Sequence, residues 1–208
     1  MSVLNQIAYF QNRRDRAPNQ QLARELANTK NHKGIQEIAK NLQHKNKNVR
    51  SDCPEVLYDI GYLAPDLIAD YCGVFLALLK SKDNRMVWGA MIALATIADL
   101  RAKEIWEQID AVIAAMEHGT LITVVWGVKT LARVAAKDKR YRKKLDPILL
   151  SQLRKCIPRD VPLHAESMLC AVDDSHRKEF LAVLASRQKE MTTAQAARLR
   201  KVIKAVSE

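Results

Sequence analysis

The sequence repeats itself, and the period leaves few folds open. Cys53, Leu57 and Ile60 are followed 37 residues later by Ala90, Leu94 and Ile97, after another 37 by Gly127, Leu131 and Val134, and after 38 more by Ala165, Leu169 and Val172. Each set is a small residue, then leucine at +4 and a branched aliphatic at +7, offsets that share one face of an α-helix. A second series interleaves with the first. Ile38, Ala39 and Leu42 shift by 37 to Phe75, Leu76 and Leu79, then to Val112, Ile113 and Met116, then to Leu149, Leu150 and Leu153; a shift of 31 reaches Phe180, Leu181 and Leu184. The i, i+1, i+4 spacing is again a helix face. Each period therefore predicts two amphipathic helices. One pair cannot bury its apolar face alone, whereas a stack of about five shares a continuous core.

Composition and punctuation agree. Of 208 residues, 48% are hydrophobic but only 5% aromatic, with six glycines and six prolines, a balance that suits close-packed helices better than strands. Asn46, Asp83 and Thr120 stand in one register ahead of successive helices and are good N-caps, and in the last repeat the start moves to Asp160, between Pro158 and Pro162. Gly119 can close the preceding helix in left-handed geometry, and Pro65-Asp66 suits an opening turn. The expected architecture is one all-α domain, a right-handed α-solenoid of about five antiparallel helix pairs. Residues 1–17 cap one end, 18–190 hold the repeats, and 191–208 form a terminal helix with a polar outer face.

Several function classes lack their residues. No run approaches the ~18 apolar residues of a membrane helix, and the N-terminus has no basic region ahead of an apolar stretch. Cys53, Cys72, Cys156 and Cys170 are far apart in sequence and lie within helical patterns, so buried free thiols and a cytoplasmic location are expected. His32, His44, His118, His164 and His176 show no ligand spacing, and neither a phosphate-binding glycine loop nor a nucleophile elbow is present. No catalytic residue, cofactor or metal is assigned.

The segments Asn48-Val49-Arg50 before Cys53, and Asp83 to Trp88 before Ala90, resemble the helix entries of HEAT repeats, and the likeness to the HEAT/armadillo class covers residues 19–190. That resemblance implies a stack with the second helix of each pair lining the concave face. There the register aligns Lys33, Asp70, Glu107 and Lys144, and further along His44, Ser81, His118 and Lys155: acidic in the middle, basic at both ends. The net charge of +11 is uneven in the same sense, with +7 in residues 1–50, −4 in 51–136 and +6 in 137–160. The expectation is a non-enzymatic module that binds a partner protein or peptide through its concave and basic surfaces. Its contact residues would be Arg140, Arg142, Lys143, Lys144 and Lys155, with Lys33, Asp70 and Glu107 along the groove. The alternative is local nucleic-acid binding. The alkylpurine DNA glycosylases are similar basic HEAT-like solenoids with Trp, Arg and Asp in the concave face. Trp88 and Trp126, however, fall on first helices, where inter-helix packing is the expected role, as it is for Trp88, Val125 and Leu163 as a register. The repeat alone is also similar to HEAT-like bilin lyases. His164-Ala165-Glu166 resembles only loosely the adjacent His-Glu pairs of HEAT-repeat iron hydroxylases.

Overall fold

The computed structural model describes residues 2–207, so the outermost residue of each expected cap, Met1 and Glu208, lies outside the described residues. Thirteen α-helices and no strand occur among them. One layer contains α1 (Ala17–Asn28), α3 (Lys47–Leu63), α6 (Asn84–Ile97), α9 (Leu121–Ala135), α11 (Val161–Met168) and α13 (Thr193–Ser207), each packed side by side on the next. The other contains α2 (His32–Lys40), α4 (Asp66–Ala69), α5 (Cys72–Leu78), α7 (Ala102–Glu107), α8 (Ile109–Glu117), α10 (Lys139–Lys155) and α12 (Asp174–Gln188), whose neighbours touch more sparsely. The fold is a right-handed HEAT/armadillo-type α-solenoid.

The core lies between the layers and is built from the two periodic series. Cys53, Leu57, Ile60, Ala90, Leu94, Ile97, Leu131 and Val134 are buried, and Ile38, Phe75, Val112, Leu149 and Phe180 meet them from the other side. Small residues set how closely helices approach. A Cβ on Gly89 would lie 2.7 Å from Pro54 on α3, and one on Gly127 would lie 2.6 Å from Met116 on α8, so both positions exclude a larger side chain.

Local chemistry accounts for most helix ends. Asn46 and Asp83 accept from the backbone N–H groups of Asn48 and Arg85. Asp138 and Asp173 cap α10 and α12 in the same way. Thr120 instead pairs its hydroxyl with that of Thr123, and Asp160 makes no side-chain cap. Gly119 does not take left-handed geometry: no described glycine has positive φ, and its role is spatial, since an added Cβ would lie 2.6 Å from Thr123. The second-layer helices of the two central repeats are broken, at Tyr71 and at Gln108, the same register 37 residues apart. The N-terminal cap begins with a 3-10 turn, Val3–Gln6, that delivers Ile7 fully buried into the core. Cys53 and Cys72 are buried, but Cys156 is half-buried and Cys170, in the 3-10 turn Leu169–Ala171 that follows α11, is exposed; all four thiols are free.

One polar contact seals the C-terminal repeats. Arg187 of α12 is buried, and its guanidinium donates to the carbonyls of Leu153, at 2.8 Å, and Cys156, at 2.7 Å, closing the end of α10. Those carbonyls have no partner within their own helix, and the positive charge complements the negative end of the helix dipole. Replacing Arg187 by Met strands them in a dry interface. Arg187→Met should lower the unfolding free energy by about 3 kcal/mol, read from the urea midpoint with an unchanged slope.

Candidate functional site

A recess of about 920 Å³ opens on the face of α3, α6 and α9, within the size range of pockets that enclose a ligand or a peptide side-chain cluster. Helical spacing places its walls. From α3 come Asn48, Ser51, Asp52, Glu55 and Tyr58; from α6, Arg85, Trp88 and Ile92; from α9, Ile122 and Trp126. The irregular segment from Ala8 to Arg16 crosses one end and completes the enclosure, held there by the Tyr9 N–H to Asp52 at 2.9 Å and the Ala8 N–H to Asn19 at 2.9 Å.

Aromatic rings run across this face. Trp88 lies 6.2 Å from Tyr58, Tyr58 lies 6.1 Å from Tyr62, and Tyr62 lies 5.7 Å from Trp126, so α3 and α9 touch through their rings above the helix between them. The distances are those of favourable tilted and edge contacts. Lys129 sits over Trp126 with its Nζ 4.7 Å from the ring centroid, and burial pushes its ammonium pKa down. Tyr62 and Ile122 remain 49% and 44% exposed, an apolar rim available to a partner.

The charges in the recess are unequally satisfied. Asp15 pairs with Arg13 at 2.7 Å. Glu55 pairs with Arg16 and accepts from the Asn19 amide at 3.0 Å. Asp52 accepts the Tyr9 N–H, and burial raises its carboxyl above the usual range. Every carboxylate lining the recess is thus engaged. Two exposed guanidiniums are not neutralised: Arg85 donates only to the Ser51 hydroxyl, at 2.9 Å, and Arg14 has no ion pair among the described residues.

The residues expected from the sequence to bind a partner lie elsewhere and do not converge. Lys33, Asp70, Glu107 and Lys144 are spread over the second layer, one to a repeat, and all are exposed. Asp70 is held by Arg101, and Lys144 by Asp110 at 2.6 Å while lying over Trp106. On α10, Arg140 folds back on the capping Asp138 at 3.0 Å, and Arg142, only 14% exposed, is locked to Asp173. Lys143 and Lys155 are exposed without an ion pair among the described residues, and Lys155 edges a smaller recess of about 430 Å³ between α8 and α10, floored by Met116, Pro147 and Ile148. The larger recess was not expected on the layer that carries it. Trp88 and Trp126 do pack between helices, but they also line it. His164 is buried in α11 with both ring nitrogens unpartnered; burial lowers its pKa, which favours a neutral core side chain. No cluster of three or more metal-ligating side chains occurs among the described residues, and no helix is long and apolar enough to cross a membrane.

Known structures share this architecture at low sequence identity. An engineered protein superposes with a TM-score of 0.68 at 17% identity, over 100% of this chain and 97% of its own. A designed armadillo repeat protein in complex with the peptide (KR)4 gives 0.67 at 14% identity, over 89% and 86%. Kap121p gives 0.64 at 18% identity, over 84% of this chain and 19% of Kap121p. These likenesses show that the chain has a HEAT/armadillo-type helical repeat fold. No protein-family model matches the sequence, and no curated protein matches it.

Beside the recess, Asp59 carries a testable charge. Its Oδ1 lies 3.5 Å from Arg16, while its Oδ2 is buried without a hydrogen-bond partner. Burial raises its pKa to about 6 against the opposing pull of Arg16. The folded pKa is above the unfolded value, so the ionisation penalty is full above pH 6 and fades as pH falls toward 3.8. Between pH 7 and pH 5 the native chain should therefore gain about 1 kcal/mol relative to Asp59→Asn, measured by denaturant unfolding of both proteins at each pH.

Proposed function

We propose that the chain is a non-enzymatic, cytoplasmic interaction module that holds a segment of a partner protein in the recess of α3, α6 and α9. The observation that carries this reading is the continuous ring system of Trp88, Tyr58, Tyr62 and Trp126, with Tyr58 buried, the two indoles half-buried and Tyr62 exposed, beside an exposed apolar rim. Buried aromatics with a polar surround are what protein interfaces use as anchors. A designed armadillo protein of the same architecture is seen in complex with a peptide, which supports a peptide-sized occupant. The four free thiols fit a reducing compartment. Lys143 and Lys155, two of the exposed cations of the basic helix α10 without an ion pair among the described residues, would steer an acidic partner from the other layer.

Nucleic-acid binding is the second reading, favoured by one arrangement: unpaired Arg85 lies one helical turn from Trp88, and a guanidinium beside an indole also suits a single strand. One experiment separates the two. Proteins captured on the immobilised chain and on Ile122→Glu are quantified with and without nuclease. Ile122 is exposed, so the variant keeps the fold. The expected result is a specific protein retained after nuclease and reduced about tenfold or more on the variant. Loss of capture on nuclease treatment, or equal capture by both proteins, would overturn the proposal.

A further inference from the structure

The chemistry left free in the recess says what kind of segment fits it. This inference rests on the peptide-binding reading above and deepens it. Asp15 and Glu55 are ion-paired to Arg13 and Arg16, and Asp52 accepts only the Tyr9 N–H; against these three acids the lining carries four arginines, so the recess keeps an excess of positive charge. The guanidiniums without an ion pair are Arg85, whose charge acts on Asp52, and Arg14. The rest of the lining includes an apolar part: Ile92, Ile122 and the indoles of Trp88 and Trp126.

We infer that the recess binds a partner segment in which an acidic side chain lies within about three residues of an aromatic or large aliphatic one, the acid on Arg85 and Arg14 and the apolar group against Trp88 and Trp126. The spacing comes from α6. Arg85, Trp88 and Ile92 form one stripe, and seven helical residues rise about 10 Å, the length of about three extended residues. The polarity runs across the recess in the same sense, from the amide and hydroxyl side chains of Asn48 and Ser51 on α3 to Ile122 and Trp126 on α9. An extended segment lying along α6 would therefore present its acid to Arg85 at one end and an apolar anchor toward Ile92 at the other. Its charge is opposite to that of the (KR)4 peptide on the designed armadillo relative. Likeness of fold does not carry over the ligand, because the ligand is set by which side chains stay unpaired.

The test is selection of a random peptide library, displayed on phage, against the immobilised full chain, followed by binding of the synthetic consensus peptide. The expected consensus pairs Asp or Glu with an aromatic or Leu at the stated spacing. Arg85→Glu, a change at an exposed residue, should weaken the consensus peptide about tenfold or more and leave thermal stability unchanged. The chain has three tryptophans, so the site can be located by NMR: the indole N–H signals of Trp88 and Trp126 should move on titration, while that of Trp106, stacked on Tyr141 in the other layer, should not. A Lys/Arg-rich consensus that moves the same two indoles would overturn the acidic assignment and leave peptide binding standing. Equal affinity of Arg85→Glu, or movement of Trp106 alone, would place the site elsewhere. If no peptide is selected and oligothymidylate moves Trp88 and Trp126 instead, both the inference and the peptide-binding reading fall.

Discussion

The close approach of neighbouring helices in one layer is the constraint on which the rest depends. Where Gly89 meets Pro54, α6 and α3 come together with no room for a Cβ, and between the two layers Gly127 lets α9 settle on Met116 of α8. A layer packed this tightly brings side chains two helices apart within reach of one another. Tyr62 on α3 and Trp126 on α9 are in contact, although α6 runs between them. In a looser stack the rings would face solvent separately and no shared recess would form. The same small residues that stabilise the core by dense packing thus also assemble the binding face.

Charge does a second job, and it changes what a net +11 means. Many of the cations are spent tying one repeat to the next. Arg16 with Glu55, Arg101 with Asp70, Lys144 with Asp110, Arg142 with Asp173 and Arg198 with Glu166 all link residues 31 to 39 positions apart, about one period. Exposed pairs of this kind contribute at most about 1 kcal/mol each. Their larger effect is on recognition, because they remove charge from the surface offered to a partner. Arg140 and Arg142 belong to the most basic stretch of the sequence, yet one is folded on its own helix cap and the other lies in an inter-repeat contact. Composition counts charges, whereas a partner meets only those left over.

The fold was legible because a repeat announces its core: every position that must be apolar recurs at the same offset, and Leu57, Leu94 and Leu131 are buried as that offset requires. The recess was hidden for a related reason. A chain of alternating helices can be divided into pairs in two ways, α1 with α2 or α2 with α3, and the hydrophobic period is the same in both. The division decides which layer is taken as the inner one. Dividing the chain the first way places the tryptophans on first helices, away from the face expected to bind. A signal was present in the HEAT-like entry Asp83 to Trp88, since the helix it opens carries both Arg85 and Trp88 on the recess. Trp126 escaped the register because it stands one place beyond Val125, the residue aligned with Trp88. The breaks at Tyr71 and Gln108 and the inter-repeat ion pairs depend on three-dimensional neighbours, and no periodicity encodes them.

The N-terminal segment ties these threads together. It begins as a cap, with Ile7 closing the first repeat, but the residues after it leave the helical pattern and run across the end of the recess. Arg16 enters the space, engages Glu55 and lies over Tyr58, its guanidinium carbon 5.8 Å from the ring centroid. In doing so it neutralises the acidic side of the recess from within the chain. Without that arginine, Glu55 would line the recess without its cation, beside Tyr58, an arrangement that attracts a cation. With it, the charge still unpaired belongs to Arg14, two residues earlier on the same segment, and to Arg85. A segment expected from the sequence to cap one end therefore also sets the electrostatic preference of the site, leaving an excess of arginine that asks for an acid.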